Sequence, residues 1–157
     1  MITTLALDLE GTLISNAMSQ IPRPGLYDFL VRCRAMVDRL VIYTAIAEPR
    51  CRAIAAVLVA DKLAPAWFAD IEYVTWSGTT KDLACVPGVT PREALLLDDL
   101  PEYVHPGQEA QWVPIAPFVA PYPADDTALA EVMGSLESRC LAPDSSIITS
   151  PNAHTAP

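Results

Sequence analysis

The sequence predicts an α/β fold: a Rossmann-like open sheet, mainly parallel, with helices on both faces. Two observations predict it. Short, almost continuously apolar runs of strand length alternate with stretches whose apolar residues recur at helical spacing. Strands with so few polar positions are covered on both sides, which is typical of parallel sheets. Right-handed crossovers then join consecutive strands.

Three runs are the strongest strand candidates. They are ITTLALD at 2–8, LVIYT at 40–44 and ALLLD at 94–98. Two weaker candidates are IEYVTW at 71–76 and QWVPI at 111–115, the second limited by Pro114, which cannot donate a backbone hydrogen bond.

Three helices are predicted between and after these strands. The first covers 25–36 and follows a Pro-Gly pair, and the second covers about 48–61. The third is entered through Asp125 and Asp126, which suit a helix N-terminus, and ends before Pro143. Its apolar stripe consists of Leu129, Val132, Met133, Leu136 and Cys140.

Length and composition favour one compact domain at 1–141, followed by a Pro-, Ser- and Thr-rich tail at 142–157. Of the 157 residues, 52% are hydrophobic and 18% charged, which excludes disorder of the whole chain. No segment has the length of a membrane span or the pattern of a secretion signal, so a cytoplasmic protein without a membrane partner is expected.

The net charge of −9 disfavours binding to nucleic acid, and an anionic substrate would need local positive charge. The cysteines are scattered, without the spacing of a zinc site or a disulfide framework, and are interpreted as reduced thiols: Cys33, Cys51, Cys85 and Cys140.

Polar side chains stand where the three strong strands end: Asp8, Thr44 and the pair Asp98-Asp99. In an open α/β sheet, ligands bind beyond the carboxyl ends of the strands. A carboxylate is a competent nucleophile toward phosphorus, and Asp8 with one of Asp98 and Asp99 offers the oxygen ligands that Mg²⁺ prefers. Each residue alone has an ordinary structural explanation, so the prediction depends on their combination.

Four motifs in order, LALDLEGTL, LVIYTA, TTKDL and ALLLDDLPE, resemble those of the haloacid dehalogenase (HAD) superfamily. The stretches RPGLYDFL and LLLDDLPEYVHPGQEAQWVPIAPF are similar to its NLI-interacting-factor-like branch, which includes small phosphatases of the RNA polymerase II C-terminal domain. The resemblance covers about residues 3–137 and implies a HAD-like fold.

The resemblance also implies roles for individual residues. Asp8 would be the nucleophile and a metal ligand, and Thr44 would bind the phosphate. Lys81 would hold the phosphoaspartate. Of the acidic pair, Asp99 would be the direct Mg²⁺ ligand and Asp98 its neighbour.

Glu10 departs from the family pattern. It stands where the branch has an acid/base Asp, and its backbone carbonyl would complete the Mg²⁺ shell. One extra methylene displaces the acid, and a displacement of ~1 Å can cost ~100-fold in rate. The enolase-phosphatase family, similar in its EGT motif, works with Glu at this position.

About 31 residues separate Thr12 from Thr44 and about 36 separate Thr44 from Lys81, and the predicted elements use most of them. This leaves no room for a large cap domain. The open site would admit a phosphoprotein, whereas a small metabolite would need closure by the flap ISNAMSQIP at 14–22 or by a homo-oligomeric partner.

These observations lead to a hypothesis and two alternatives. The hypothesis is a Mg²⁺-dependent phosphatase working through an aspartyl-phosphate on Asp8, with Glu10 as general acid/base. The first alternative is a weak or inactive HAD-like module that binds Mg²⁺ or a phosphorylated partner. A dehalogenase is disfavoured, since such enzymes need no Mg²⁺.

Four residues near the motifs are given structural interpretations. Arg23 and Arg50 are predicted to be surface residues rather than phosphate ligands, and His105 to be a turn residue. Trp76 is predicted to be a packing residue, with a place in the lining of the open site as the alternative.

Overall fold

The protein was analysed as a computed structural model that describes residues 1–141. Five parallel strands form one sheet in the order β3-β2-β1-β4-β5. The strands are β1 (Thr4–Leu7), β2 (Arg39–Ile42), β3 (Glu72–Tyr73), β4 (Ala94–Asp98) and β5 (Trp112–Pro114). The predicted α/β fold with a Rossmann-like parallel sheet is confirmed.

Three α-helices complete the regular structure: α1 (Leu26–Met36), α2 (Glu48–Ala60) and α3 (Ala128–Cys140). α1 follows Gly25, whose φ of +81° suits glycine, and α2 has Pro49 in its first turn, where no backbone N–H is needed. At the start of α3, Asp126 accepts the backbone N–H of Ala128 at 3.2 Å. All three predicted helices are confirmed within one or two residues.

The α-helices cover one face of the sheet. Leu5, Leu7 and the residues paired with them on β2 and β4 share one buried cluster with the apolar stripes of α1, α2 and α3. The other face carries Ala6, Val41 and Leu96, which pack against the segment around the 3-10 turn Leu83–Cys85.

On this second face the helical elements are therefore 3-10 turns rather than the expected α-helices. The connections that cross it contain Pro87, Pro91 and Pro101, and proline prevents a long helix. The connection from β3 to β4 steps back across β1, and a right-handed crossover places it on the face opposite to α1 and α2.

The strands β1, β2, β3 and β5 are shorter than predicted, because their sequence runs continue past the ladder. β2 ends at Ile42, so that Tyr43 and Thr44 lie beyond the strand. β1 ends at Leu7, and Asp8 likewise follows its strand. Since Leu7 pairs with both Ile42 and Leu97, these strand ends lie at one level.

Three further predictions concern the chain as a whole. All four cysteines are free thiols, as predicted. No helix within residues 1–141 is long and apolar enough to cross a membrane. The predicted tail at 142–157 lies outside the described residues, and the domain boundary at 141 stays a prediction.

Candidate active site

The centre of the site is a buried lysine between two buried aspartates. Asp98 is the last residue of β4, and Asp8 follows the neighbouring strand β1. Lys81 Nζ donates to Asp8 Oδ1 at 2.8 Å and also to Asp98 Oδ2. All three are at most 5% exposed, so water screens their charges little.

Lys81 is fixed by the loop that follows β4. Its backbone N–H donates to the carbonyl of Tyr103 at 2.7 Å. Its ammonium lies 4.8 Å from the centre of the Tyr103 ring, a cation–π distance. The adjacent Thr80 is hydrogen-bonded to His105 Nδ1 at 2.9 Å, which is consistent with the structural role predicted for this histidine.

Asp99 completes a group of three carboxylates. One oxygen each from Asp8, Asp98 and Asp99 lie within 4.8 Å of one another. The Thr12 hydroxyl lies 3.3 Å from Asp8 Oδ2 and 3.1 Å from Asp99 Oδ1. Thr12 therefore ties the loop after β1 to the end of β4.

Gly11 allows this close approach. Its φ is +76°, and a Cβ built on it would lie 2.5 Å from Asp99 Oδ2. A side chain at this position would displace the Asp99 carboxylate.

The charge of the group is unbalanced, because three carboxylates face one ammonium. Burial, the largest effect, raises the pKa of Asp8 to about 7. Lys81 lowers this pKa and the Asp98 carboxylate raises it. Burial also raises the pKa of Asp99. A hard divalent cation fits this set of oxygen donors and would stabilise the ionised carboxylates.

A cavity of about 260 Å³ opens beside Asp8. It is lined by Asp8, Glu10, Thr44, Ala45, Ile46, Leu100 and Tyr103. Glu10 is exposed, whereas Thr44 is buried and its Oγ1 accepts the backbone N–H of Ile46 at 3.2 Å. The structure thus brings Asp8, Glu10 and Thr44 to one cavity, with Lys81 next to Asp8.

Trp76 supports the cavity without lining it. Its Nε1–H donates to the carbonyl of Thr44 at 2.9 Å. Its ring lies edge-on to Tyr43 at 5.6 Å and to Tyr103 at 6.2 Å. The packing role predicted for Trp76 is confirmed, and its hydrogen bond fixes the backbone at Thr44.

The surface role predicted for Arg23 is wrong, since this residue is 1% exposed. Its Nε and Nη2 donate to the Asp126 carboxylate at 2.8 and 3.0 Å, and its Nη1 lies 3.4 and 3.3 Å from the carbonyls of Gly11 and Thr12. The guanidinium also lies 5.3 Å from the centre of the Phe118 ring. Through its contacts with Gly11 and Thr12, Arg23 holds the loop after β1. Asp126 balances its charge, since an isolated buried charge would be unstable.

Arg50, in contrast, is exposed, and its guanidinium donates to the carbonyl of Ala17 in the flap at 2.5 Å. Thr12 and Tyr103 have structural contacts at the site that the sequence analysis did not identify. Thr12 belongs to the first motif, four residues after Asp8, and this position could have indicated a contact with the site. No sequence pattern indicated such a contact for Tyr103.

The family model described as NLI interacting factor-like phosphatase matches residues 3–145 of the chain. This match agrees with the family predicted from the four motifs. Comparison with curated proteins finds no match.

Proposed function

Because the chain belongs to the NLI interacting factor-like phosphatase family, we propose that it hydrolyses phosphomonoesters with magnesium, through an aspartyl-phosphate on Asp8. One observation carries this proposal: three carboxylates from two neighbouring strand ends meet beside a buried ammonium, and one of them, Asp8, lines an open cavity. Structural ion pairs are buried too, but they do not leave two carboxylates in excess.

Asp8, Asp99 and the backbone carbonyl of Glu10 would hold the magnesium ion. Asp98 is less suited to direct contact, because it is fully buried and does not line the cavity, and its Oδ1 and Oδ2 accept from the Leu100 N–H and from Lys81. A bound magnesium ion supplies positive charge that offsets the carboxylates and polarises a phosphoryl oxygen.

In the first step, a carboxylate oxygen of Asp8 attacks phosphorus and the ester oxygen leaves. Glu10 donates a proton to that leaving oxygen. Lys81 stabilises the negative charge next to Asp8, and Thr44 binds a phosphoryl oxygen near the N-terminus of α2.

In the second step, Glu10 takes a proton from water, which attacks phosphorus and releases phosphate and the Asp8 carboxylate. The position of Glu10 suits this exchange, because it is exposed on the cavity and can exchange protons with solvent. The proposed substrate is a phosphorylated protein or a small phosphorylated metabolite.

The decisive experiment measures 4-nitrophenyl phosphate hydrolysis with and without Mg²⁺. We expect Asp8→Asn to abolish magnesium-dependent turnover with the fold retained, whereas the exposed control Asp61→Asn leaves the rate unchanged. Full activity of Asp8→Asn would remove Asp8 as the nucleophile.

A second candidate, a module that binds Mg²⁺ or a phosphorylated partner without turnover, is favoured by Glu10. Among residues 1–141, no other side chain holds the Glu10 carboxylate by a hydrogen bond or ion pair. Nothing in this part of the chain therefore fixes the carboxylate in the position of a general acid. An inactive parent whose turnover appears in Glu10→Asp would favour the module. An active parent that loses turnover in Glu10→Gln would favour the enzyme.

A further inference from the structure

The cavity has few positive charges for a ligand beyond the phosphate itself. No lysine or arginine is among its lining residues in the described part of the chain. Lys81 is fully buried, and its ammonium is committed to Asp8 and Asp98. Arg50, four residues from the lining residue Ile46, donates to Ala17 in the flap instead.

The mouth of the cavity is instead acidic and partly apolar. Glu10 lines it and is exposed, and it is one of the two carboxylates among the lining residues, with Asp8. Ile46, Leu100 and Tyr103 are partly exposed and form the apolar part of the wall. The whole chain carries a net charge of −9, so the field outside the site has the same sign.

These charges act unequally on the two ends of a phosphomonoester. The magnesium ion of the proposed function and the N-terminus of α2, which begins two residues after the lining residue Ile46, would attract the phosphate. A second anionic group on the leaving group would meet Glu10, and no lysine or arginine among the lining residues could pair it. An uncharged or basic leaving group avoids this repulsion, and an apolar one buries surface against Ile46, Leu100 and Tyr103.

We propose that the cavity selects phosphomonoesters with an uncharged or basic, partly apolar leaving group, and discriminates against substrates with a second anionic group near the ester. This inference rests on the proposed function, because it concerns the substrate class of the same site. It predicts poor turnover of bisphosphates and of phosphorylated carboxylic acids.

The test compares three aryl phosphates of similar shape: phenyl phosphate, 4-carboxyphenyl phosphate and 4-(aminomethyl)phenyl phosphate. We expect kcat/KM for the carboxylate compound to be about tenfold below that for phenyl phosphate at low ionic strength. The aminomethyl compound should equal or exceed phenyl phosphate. The difference should shrink at high salt, because the charges at the mouth are exposed.

Ala45 offers a matched pair of variants, since it is exposed and lines the cavity. Ala45→Lys should raise the carboxylate-to-phenyl ratio of kcat/KM about tenfold, whereas Ala45→Gln should leave this ratio unchanged. Equal kcat/KM for the three parent substrates, or an unchanged ratio in Ala45→Lys, would overturn the inference and leave the phosphatase proposal intact.

Binding separates this inference from the proposed function. The affinity of the Asp8→Asn protein for the three compounds, measured by calorimetry with Mg²⁺, should follow the same order. If the parent hydrolyses none of them, the phosphatase proposal fails, and the binding order then decides the selectivity alone. Equal affinities, or no binding of any compound, would overturn the selectivity.

Discussion

At the scale of single residues, the site depends on contacts that tolerate little displacement. Thr12 bridges Asp8 and Asp99 with one hydroxyl, and Lys81 bridges Asp8 and Asp98 with one ammonium. Each of these groups has two partners, so a shift of one carboxylate disturbs the others. Gly11 is the position where this can be tested without removing a charged group.

We expect Gly11→Ala to lower turnover about 100-fold, because its Cβ would displace the Asp99 carboxylate. The substitution also strains the backbone, since φ is +76°. Gly88→Ala is the matched control: its φ is +74°, and a Cβ there meets nothing within 4 Å. Both variants should lose about 1 kcal/mol of unfolding free energy from strain. Similar turnover of the two would contradict the contact with Asp99.

The residues that could be predicted from the sequence are those whose position follows from a strand end. Asp8, Thr44, Asp98 and Asp99 each stand at or just beyond the end of an apolar run, and the parallel register brings those ends together. Arg23 could not be placed in this way. Its partner Asp126 lies 103 residues further along the chain, and no local pattern connects them.

At the scale of elements, the loop after β1 is held from the opposite end of the chain. Arg23 joins this loop to the start of α3 through Asp126, and the N–H of Phe118 donates to the carbonyl of Gly11 at 2.8 Å. The lowered pKa of Asp126, caused first by its hydrogen bonds from Arg23, reflects the same pair. The segment 118–126 is thus part of the support of the site.

We expect Asp126→Asn to lower the unfolding free energy by about 3–5 kcal/mol, because it leaves the buried Arg23 charge without its partner. Turnover should fall as well, since Arg23 then holds Gly11 and Thr12 less firmly. The measurements are denaturant unfolding and steady-state kinetics.

The control for this prediction is an exposed ion pair that ends on α3. Arg32 and Glu137 join α1 to α3, but their side chains are 52% and 44% exposed. Glu137→Gln should change the unfolding free energy by less than about 1 kcal/mol. Equal effects of Asp126→Asn and Glu137→Gln would contradict a special role for the buried pair.

The types of the main elements could be predicted more closely than their packing. The periodicity of α1, α2 and α3 follows from local sequence, as do the apolar runs of β1, β2 and β4. The second face of the sheet has no such pattern, because its cover is the prolines and 3-10 turns around Leu83 and Val86. Irregular segments of this kind are ordered by tertiary contacts rather than by propensity.

At the scale of the whole molecule, the buried acidic centre couples stability to pH and, under the proposed function, should couple it to magnesium. Burial raises the pKa of Asp8 to about 7, so the folded metal-free protein binds this proton more tightly than the unfolded chain does. The resulting stability is complete below the ordinary pKa of an aspartate, about 4, and is lost as the pH rises through about 7. The raised pKa of Asp99 acts in the same direction.

We therefore expect the metal-free protein to be less stable at about pH 7.5 than at about pH 5, by the linkage of proton binding to folding. Mg²⁺ should raise the unfolding free energy more at the higher pH, because at the lower pH it competes with protons for the carboxylates. The measurement is denaturant unfolding at both pH values, with chelator and with Mg²⁺.

Asp8→Asn is the control and should lose most of the pH dependence. Asp82 and Asp126 do not interfere, because their lowered pKa values place their effect below about pH 4. A metal-free protein that gains stability from pH 5 to pH 7.5 would contradict the raised pKa of the buried Asp8 carboxyl.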